Sequence, residues 1–120
     1  MSLAKLDNKV ILVTGANTGV GEHTARLCIA QGAKVAVHGR RPDAVQKIVD
    51  ELGPNAHGVI GSLETAEDPA KVVEQTVAHF GRLDGVVNNA ARTTRSHFEK
   101  TDVAFFDNMM ATNVRAPFLI

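Results

Sequence analysis

The sequence predicts an α/β fold, a doubly wound parallel sheet of strand order 3-2-1-4 that stops inside a helix. Three observations predict it. A continuous apolar run, Val10-Ile11-Leu12-Val13, enters a turn holding Gly15, Gly19 and Gly21 that opens a helical segment. Short apolar runs then alternate with stretches of helical periodicity, the pattern of right-handed βαβ crossovers. Glycine and proline stand where those helices should begin and end.

Each element has its own justification. Residues 10–13 are apolar without alternation, as in a strand covered on both faces by helices, so this strand is central. Residues 20–31 carry Ala25, Cys28 and Ile29 at helical spacing, and Gly32 supplies the C-terminal glycine. Residues 34–38 make the second strand, ending at Gly39-Arg40-Arg41. Pro42 suits a first helical position, Val45, Ile48, Val49 and Leu52 repeat at i, i+3, i+4 and i+7, and Gly53-Pro54 stops the helix. Residues 57–60 form a short third strand. Asp68-Pro69 opens a helix striped by Val72, Val73, Thr76, Val77 and Phe80 and closed by Gly81, and residues 85–88 form the fourth strand. Residues 101–120 read as a short helix or turn followed by a longer helix with Phe105, Phe106, Met109, Met110 and Val114. That stripe suits a core position or packing between subunits of a homo-oligomer. The apolar end Ala116-Pro117-Phe118-Leu119-Ile120 has no capping glycine or polar tail, so residues 1–120 are expected to be a single, truncated domain.

Composition narrows the function. Thirteen basic and thirteen acidic residues cancel, so no overall field gathers nucleic acid or an anionic membrane, and any anion must be held locally. No apolar run approaches the ~18 residues that cross a bilayer. One cysteine, placed among Leu27, Ile29 and Ala30, suits a small buried hydrophobe in a reducing compartment, and a cytoplasmic location is expected. His23, His38, His57, His79 and His97 lie in separate elements without ligand spacing, so no metal site is expected. Ser62, Thr93 and Thr94 lack a nucleophile elbow.

The chemistry concentrates in residues 14–21. A strand, a glycine turn and a helix N-terminus together make an anion site, because the first helical N–H groups lack partners and the helix dipole is positive there. The spacing G-x-x-x-G-x-G differs from G-x-G-x-x-G. It also excludes a P-loop, since Glu22-His23 follows Gly21 where Lys and Ser or Thr are required. In a sheet of order 3-2-1-4 the ligand crevice lies where the order switches, between strands one and four, which brings residues 15–21 and 88–91 together.

These residues resemble the short-chain dehydrogenase/reductase family. Residues 14–21 are similar to its T-G-x-x-x-G-x-G turn, Asn88-Asn89-Ala90-Ala91 to its N-N-A-G motif, and residues 106–119 to the segment carrying its helical asparagine. The resemblance implies a Rossmann-like NAD(P)-binding domain from an oxidoreductase that moves a hydride between nicotinamide and a small carbonyl or alcohol substrate. It implies that Gly15, Asn17, Gly19, Val20 and Gly21 line the adenosine and pyrophosphate side. Asn89, Ala90 and Ala91 would border the ribose, with Ala91 in place of the family's usual glycine. Ser62 and Leu63 would meet the adenine, with Ser62 where the family often has Asp. Asn113 matches the asparagine of a Ser-Tyr-Lys-Asn tetrad and would support a water leading to the lysine. Pro117 gives a local reason, since it has no N–H to offer the Asn113 carbonyl.

The second strand ends in Gly39, Arg40 and Arg41, with no carboxylate expected in that corner. A ribose 2′-OH asks for an acidic acceptor, whereas a 2′-phosphate asks for cations. NADP(H) is therefore expected over NAD(H), with Arg40 as main contact. The sequence contains no tyrosine, so the Y-x-x-x-K proton-transfer pair of the resembled family is absent. The alternative function is a non-catalytic dinucleotide-binding module or inactive half-domain. A methyltransferase would prefer an acidic ribose partner and fits less well.

Overall fold

A computed structural model describes residues 5–120. Strand β1 (Val10–Val13), helix α1 (Gly19–Ala30), β2 (Lys34–Gly39), α2 (Pro42–Leu52), β3 (Ala56–Ile60), α3 (Asp68–Phe80) and β4 (Gly85–Val87) follow one another in chain order. All four strands are parallel and the sheet order is β3-β2-β1-β4, as expected from the alternation of the elements. The register sets Val13 beside both Val37 and Val87, so β1, β2 and β4 end at one level. That level is the floor of the site.

Side-chain parity divides the core into two layers. Val13, Val35 and Val37 face one side, packing with Ala25 of α1 and with Val45 and Ile48 of α2. Leu12, Ala36 and Val59 face the other, against Val72 of α3 and Ala116. Cys28 packs on the first layer and burial pushes its thiol up, as befits a side chain used for packing.

Glycines close α1 and α3 as the sequence implies. Gly32 has φ of 93° and Gly81 has φ of 82°, a region that costs a side-chain-bearing residue more. Asp68 is the first residue of α3, with its carboxylate accepting the Thr65 N–H at 2.9 Å, so it steadies the entry turn from inside the helix. Strand β4 ends at Val87, leaving Asn88 outside, and among the described residues it pairs only with β1.

The C-terminal third departs most from expectation. A short 3₁₀ turn (Phe98–Lys100) precedes α4 (Val103–Met110), whose Asp102 cap accepts the Phe105 N–H at 2.8 Å. The chain then widens into a π-helical turn (Ala111–Arg115) before α5 (Ala116–Leu119). The Ala116 N–H reaches back to the Ala111 carbonyl, and Pro117, without an N–H, cannot continue the α pattern. Within this segment Ala111 and Ala116 are buried, whereas Phe106, Met110 and Val114 are exposed. The core role that their spacing allowed is not the one they have here.

Leu12 is fully buried at the centre of the sheet. Leu12→Ala should lower unfolding free energy by about 2–5 kcal/mol, from lost transfer energy plus the cavity left behind. Leu27→Ala on the exposed side of α1 should cost clearly less. Urea unfolding midpoints of the two variants check this, and equal losses would contradict the described core.

Candidate functional site

A crevice of about 1020 Å³ opens at the carboxyl ends of the strands, where the order switches between β1 and β4. Its walls are Gly15 and residues 17–20 of the glycine turn, residues 38–41 at the end of β2, Leu63 and Glu64 after β3, residues 89–94 after β4, and Thr112. Loops from all four strand ends therefore meet around one space.

The three glycines of the turn serve three different needs. Gly15 has φ of 60° and lies so close to the fourth strand's exit that a Cβ would come within 3.0 Å of the Ala90 Cα. Gly19 has φ of 55° with nothing within 4 Å of a built Cβ, so only its backbone conformation requires glycine. Gly21 sits behind the crevice, where a Cβ would collide with the Gly15 carbonyl and the Asn89 amide. Thr18 precedes α1 and gives it no side-chain cap, so the first amides of the helix have no side-chain partner from that residue.

Three side chains hold this turn in place, the buried Thr14 and His38 and the half-buried Asn89. The Thr14 hydroxyl accepts the backbone N–H groups of Asn89 at 3.1 Å and Ala90 at 2.9 Å. The Asn89 side-chain amide returns the favour, donating to the carbonyls of Thr14 and Gly15 at 3.1 Å each. On the other side, the Gly15 N–H donates to His38 Nδ1 at 3.1 Å, while His38 Nε2 lies 2.8 Å from the Gly61 carbonyl. The His38 carbonyl also accepts the Ala16 N–H at 2.8 Å. These partners assign the neutral tautomer with the proton on Nε2. Burial pushes the His38 pKa down. The bond to Gly61 opposes that shift and nearby Arg40 adds to it.

His38 is the residue that sequence spacing overlooked. A histidine continuing the run Val35-Ala36-Val37 signals a buried polar group that needs partners on both nitrogens. His57 and His79 were likewise placed apart by sequence, yet their rings stack at 3.6 Å beside Phe80.

Of the residues named from sequence for the cofactor site, Gly15, Asn17, Gly19, Val20, Arg40, Arg41, Leu63, Asn89, Ala90 and Ala91 all line the crevice. Gly21, Ser62 and Asn113 do not. The Ser62 hydroxyl accepts the Glu64 N–H at 3.0 Å and so shapes the loop after β3. Asn113 forms a two-way clasp with the backbone of Arg92. Its Oδ1 accepts the Arg92 N–H at 2.7 Å, and its Nδ2 donates to the Arg92 carbonyl at 2.9 Å. The side chain thereby ties the π-helical turn to the loop that forms one crevice wall.

Two findings bear on the end of β2. A Cβ at Gly39 would meet Val45 Cγ2 at 2.6 Å and Asn17 Oδ1 at 2.9 Å, so a side chain there would require both neighbours to shift. The expectation that no carboxylate occupies this corner is nevertheless wrong. Glu64, distant in sequence, brings its carboxylate to 3.0 Å from Arg92 and 3.9 Å from Arg40. Thr18, His38, Gly39, Glu64, Arg92, Thr93, Thr94 and Thr112 complete the lining beyond the residues named from sequence for the cofactor site.

The His38 contacts carry a pH dependence. With its folded pKa below the unfolded value of about 6.5, the unfolded chain binds more protons between the two values. Its contribution is therefore full above about pH 6.5 and is lost as pH falls through the folded pKa. His57, also lowered by burial and by His79, titrates in the same direction, so His57→Gln serves as background. In that background His38→Ala should cost about 1–3 kcal/mol at pH 7, from the stranded Gly15 N–H, and should flatten the stability loss between pH 7 and 5. Urea unfolding at both pH values reads this, and an unchanged slope would contradict it.

Residues 9–120 match the family model described as short chain dehydrogenase. An uncharacterized oxidoreductase of Thermotoga maritima is 36% identical over 115 residues, covering 93% of this chain and 45% of that protein. Versicolorin reductase of Emericella nidulans is 36% identical over 120 residues, covering 97% of this chain and 46% of that protein. Among solved structures, 3-ketoacyl-(acyl-carrier-protein) reductase from Brucella melitensis complexed with NADH matches with a TM-score of 0.87 and 32% identity, over 96% of this chain and 48% of that one. Blue fluorescent protein from a metagenomic library, in complex with NADPH, matches with a TM-score of 0.89 and 29% identity, over 97% of this chain and 49% of that one. The chain spans about half the length of these relatives. The glycine turn, the fourth-strand exit and the Asn113 clasp all fall within the matched residues, and the chain belongs to the short chain dehydrogenase family.

Proposed function

We propose that this chain forms the dinucleotide-binding half of an NADPH-dependent oxidoreductase acting on a small carbonyl or alcohol substrate. One observation carries the cofactor preference: the crevice at the start of α1 is also lined by Arg40 and Arg41, while Gly39, at the end of β2, offers no carboxylate to a ribose hydroxyl. The pyrophosphate would rest on the glycine turn and the first amides of α1. Asn17, Ala90 and Ala91 would line the adenosine and ribose path, with Leu63 under the adenine. Asn89 would contribute through its backbone, since its side chain holds Thr14 and Gly15. The cofactor, when bound, supplies or accepts the hydride, and the chain's own contribution is to orient it.

The reacting oxygen also needs a proton donor or acceptor. These 120 residues contain no tyrosine, so a tyrosine-based proton transfer would draw on residues outside them. Asn113 would act there through position, because its side chain fixes the Arg92 backbone at the crevice wall. The second reading is a dinucleotide-binding module without catalysis. NADPH consumption over a panel of carbonyl compounds separates the two. A cytoplasmic setting suits the single, packed Cys28. The exposed Phe106, Met110 and Val114 suit burial in a homo-oligomer or under further chain.

Arg40 is 71% exposed in its side chain, so its contact with a 2′-phosphate is screened. Arg40→Ala should weaken NADPH binding by about fivefold to tenfold, the scale of an exposed charge-assisted contact, and leave NADH within about twofold. Fluorescence titration of both reduced cofactors checks it, and an unchanged ratio of dissociation constants would overturn the preference.

A further inference from the structure

We infer that Glu64 is a built-in competitor for the 2′-phosphate, a carboxylate that occupies the arginine pair until the cofactor displaces it. This rests on the NADPH reading above and deepens it, by naming a residue that sets how strongly the phosphate is preferred. The juxtaposition is specific. Glu64 follows β3, Arg40 follows β2 and Arg92 follows β4, and the three side chains meet across the mouth of the crevice, with Glu64 Oε1 at 3.9 Å from Arg40 and 3.0 Å from Arg92.

Glu64 is held there at three points. Its N–H donates to the Ser62 hydroxyl at 3.0 Å, its carbonyl accepts from the Arg115 guanidinium at 2.6 Å, and its carboxylate accepts from Arg92 at 3.0 Å. Arg115 belongs to the π-helical turn, so the C-terminal segment fixes the loop that presents the carboxylate. A dianionic phosphate placed on Arg40 would lie within a few ångströms of this negative charge. Repulsion at that range is felt even through water, whereas a 2′-OH carries no charge to repel. Phosphate entry therefore requires the carboxylate to move away from Arg40, keeping its bond to Arg92 or turning into solvent, which its 42% side-chain exposure permits. Glu64 lowers affinity for the phosphorylated cofactor alone.

The test uses 2′,5′-ADP and 5′-ADP as probes on the full chain and on Glu64→Gln, which keeps the shape and the hydrogen-bonding reach while removing the charge. By calorimetric titration at low salt, Glu64→Gln should tighten 2′,5′-ADP about fivefold and leave 5′-ADP within about twofold, with the gain shrinking at high ionic strength. Equal tightening of both probes would overturn the inference, since the carboxylate would then act on the diphosphate or adenine. Weaker 2′,5′-ADP binding would overturn it in the other direction, with Glu64 arranging the arginines for the phosphate. A parent chain that binds 2′,5′-ADP with an unchanged probe ratio in the variant defeats the Glu64 inference alone. A parent chain that binds neither probe, NADPH nor NADH removes the dinucleotide reading and the inference with it.

Discussion

The site depends on a glycine turn being held rigid from both sides. A chain segment with positive φ at Gly15 and Gly19 has little propensity to stay in place by itself, because the same freedom that admits the conformation also favours leaving it. Thr14 and Asn89 fasten it to the exit of β4, and His38 fastens it to the exit of β2. Each fastening uses polar atoms that are at least partly buried, so loosening one leaves a donor or acceptor poorly satisfied. The parallel register makes this possible, since it brings the ends of β1, β2 and β4 to one level.

The crevice walls show a division of labour between packing and recognition. Gly21 and Asn113 stand behind the surface, one letting helix and turn touch, the other clasping the Arg92 backbone. The charged residues stand in front and are mostly exposed, so their contacts with one another are weak and exchangeable. A rigid backbone cradle with a soft ionic rim is a sensible way to combine firm positioning with rapid entry and exit.

The fold was legible because its signals are local. Val10-Ile11-Leu12-Val13, the i, i+3, i+4, i+7 stripe of α2 and the closing glycines each specify an element within a dozen residues, and alternation then fixes the topology. Glycine-turn and fourth-strand motifs were legible for the same reason. What escaped was contact between distant positions: the bond from Gly15 to His38, the carboxylate that Glu64 brings to Arg40 and Arg92, and the reach of Arg115 to the Glu64 carbonyl. The widened turn at Ala111–Arg115 escaped because its pattern of apolar residues is that of an ordinary helix, and only Pro117 hints at the interruption.

Gly39 has a consequence for how this molecule could change under selection. Any residue with a Cβ at that point strikes Val45, which is wedged in the core, before it strikes the more yielding Asn17. A side chain introduced at position 39 therefore requires Val45 and Asn17 to shift. Position 39 is thereby coupled to the core, and a replacement there would be felt in the packing between β2 and α2 as well as at the crevice wall.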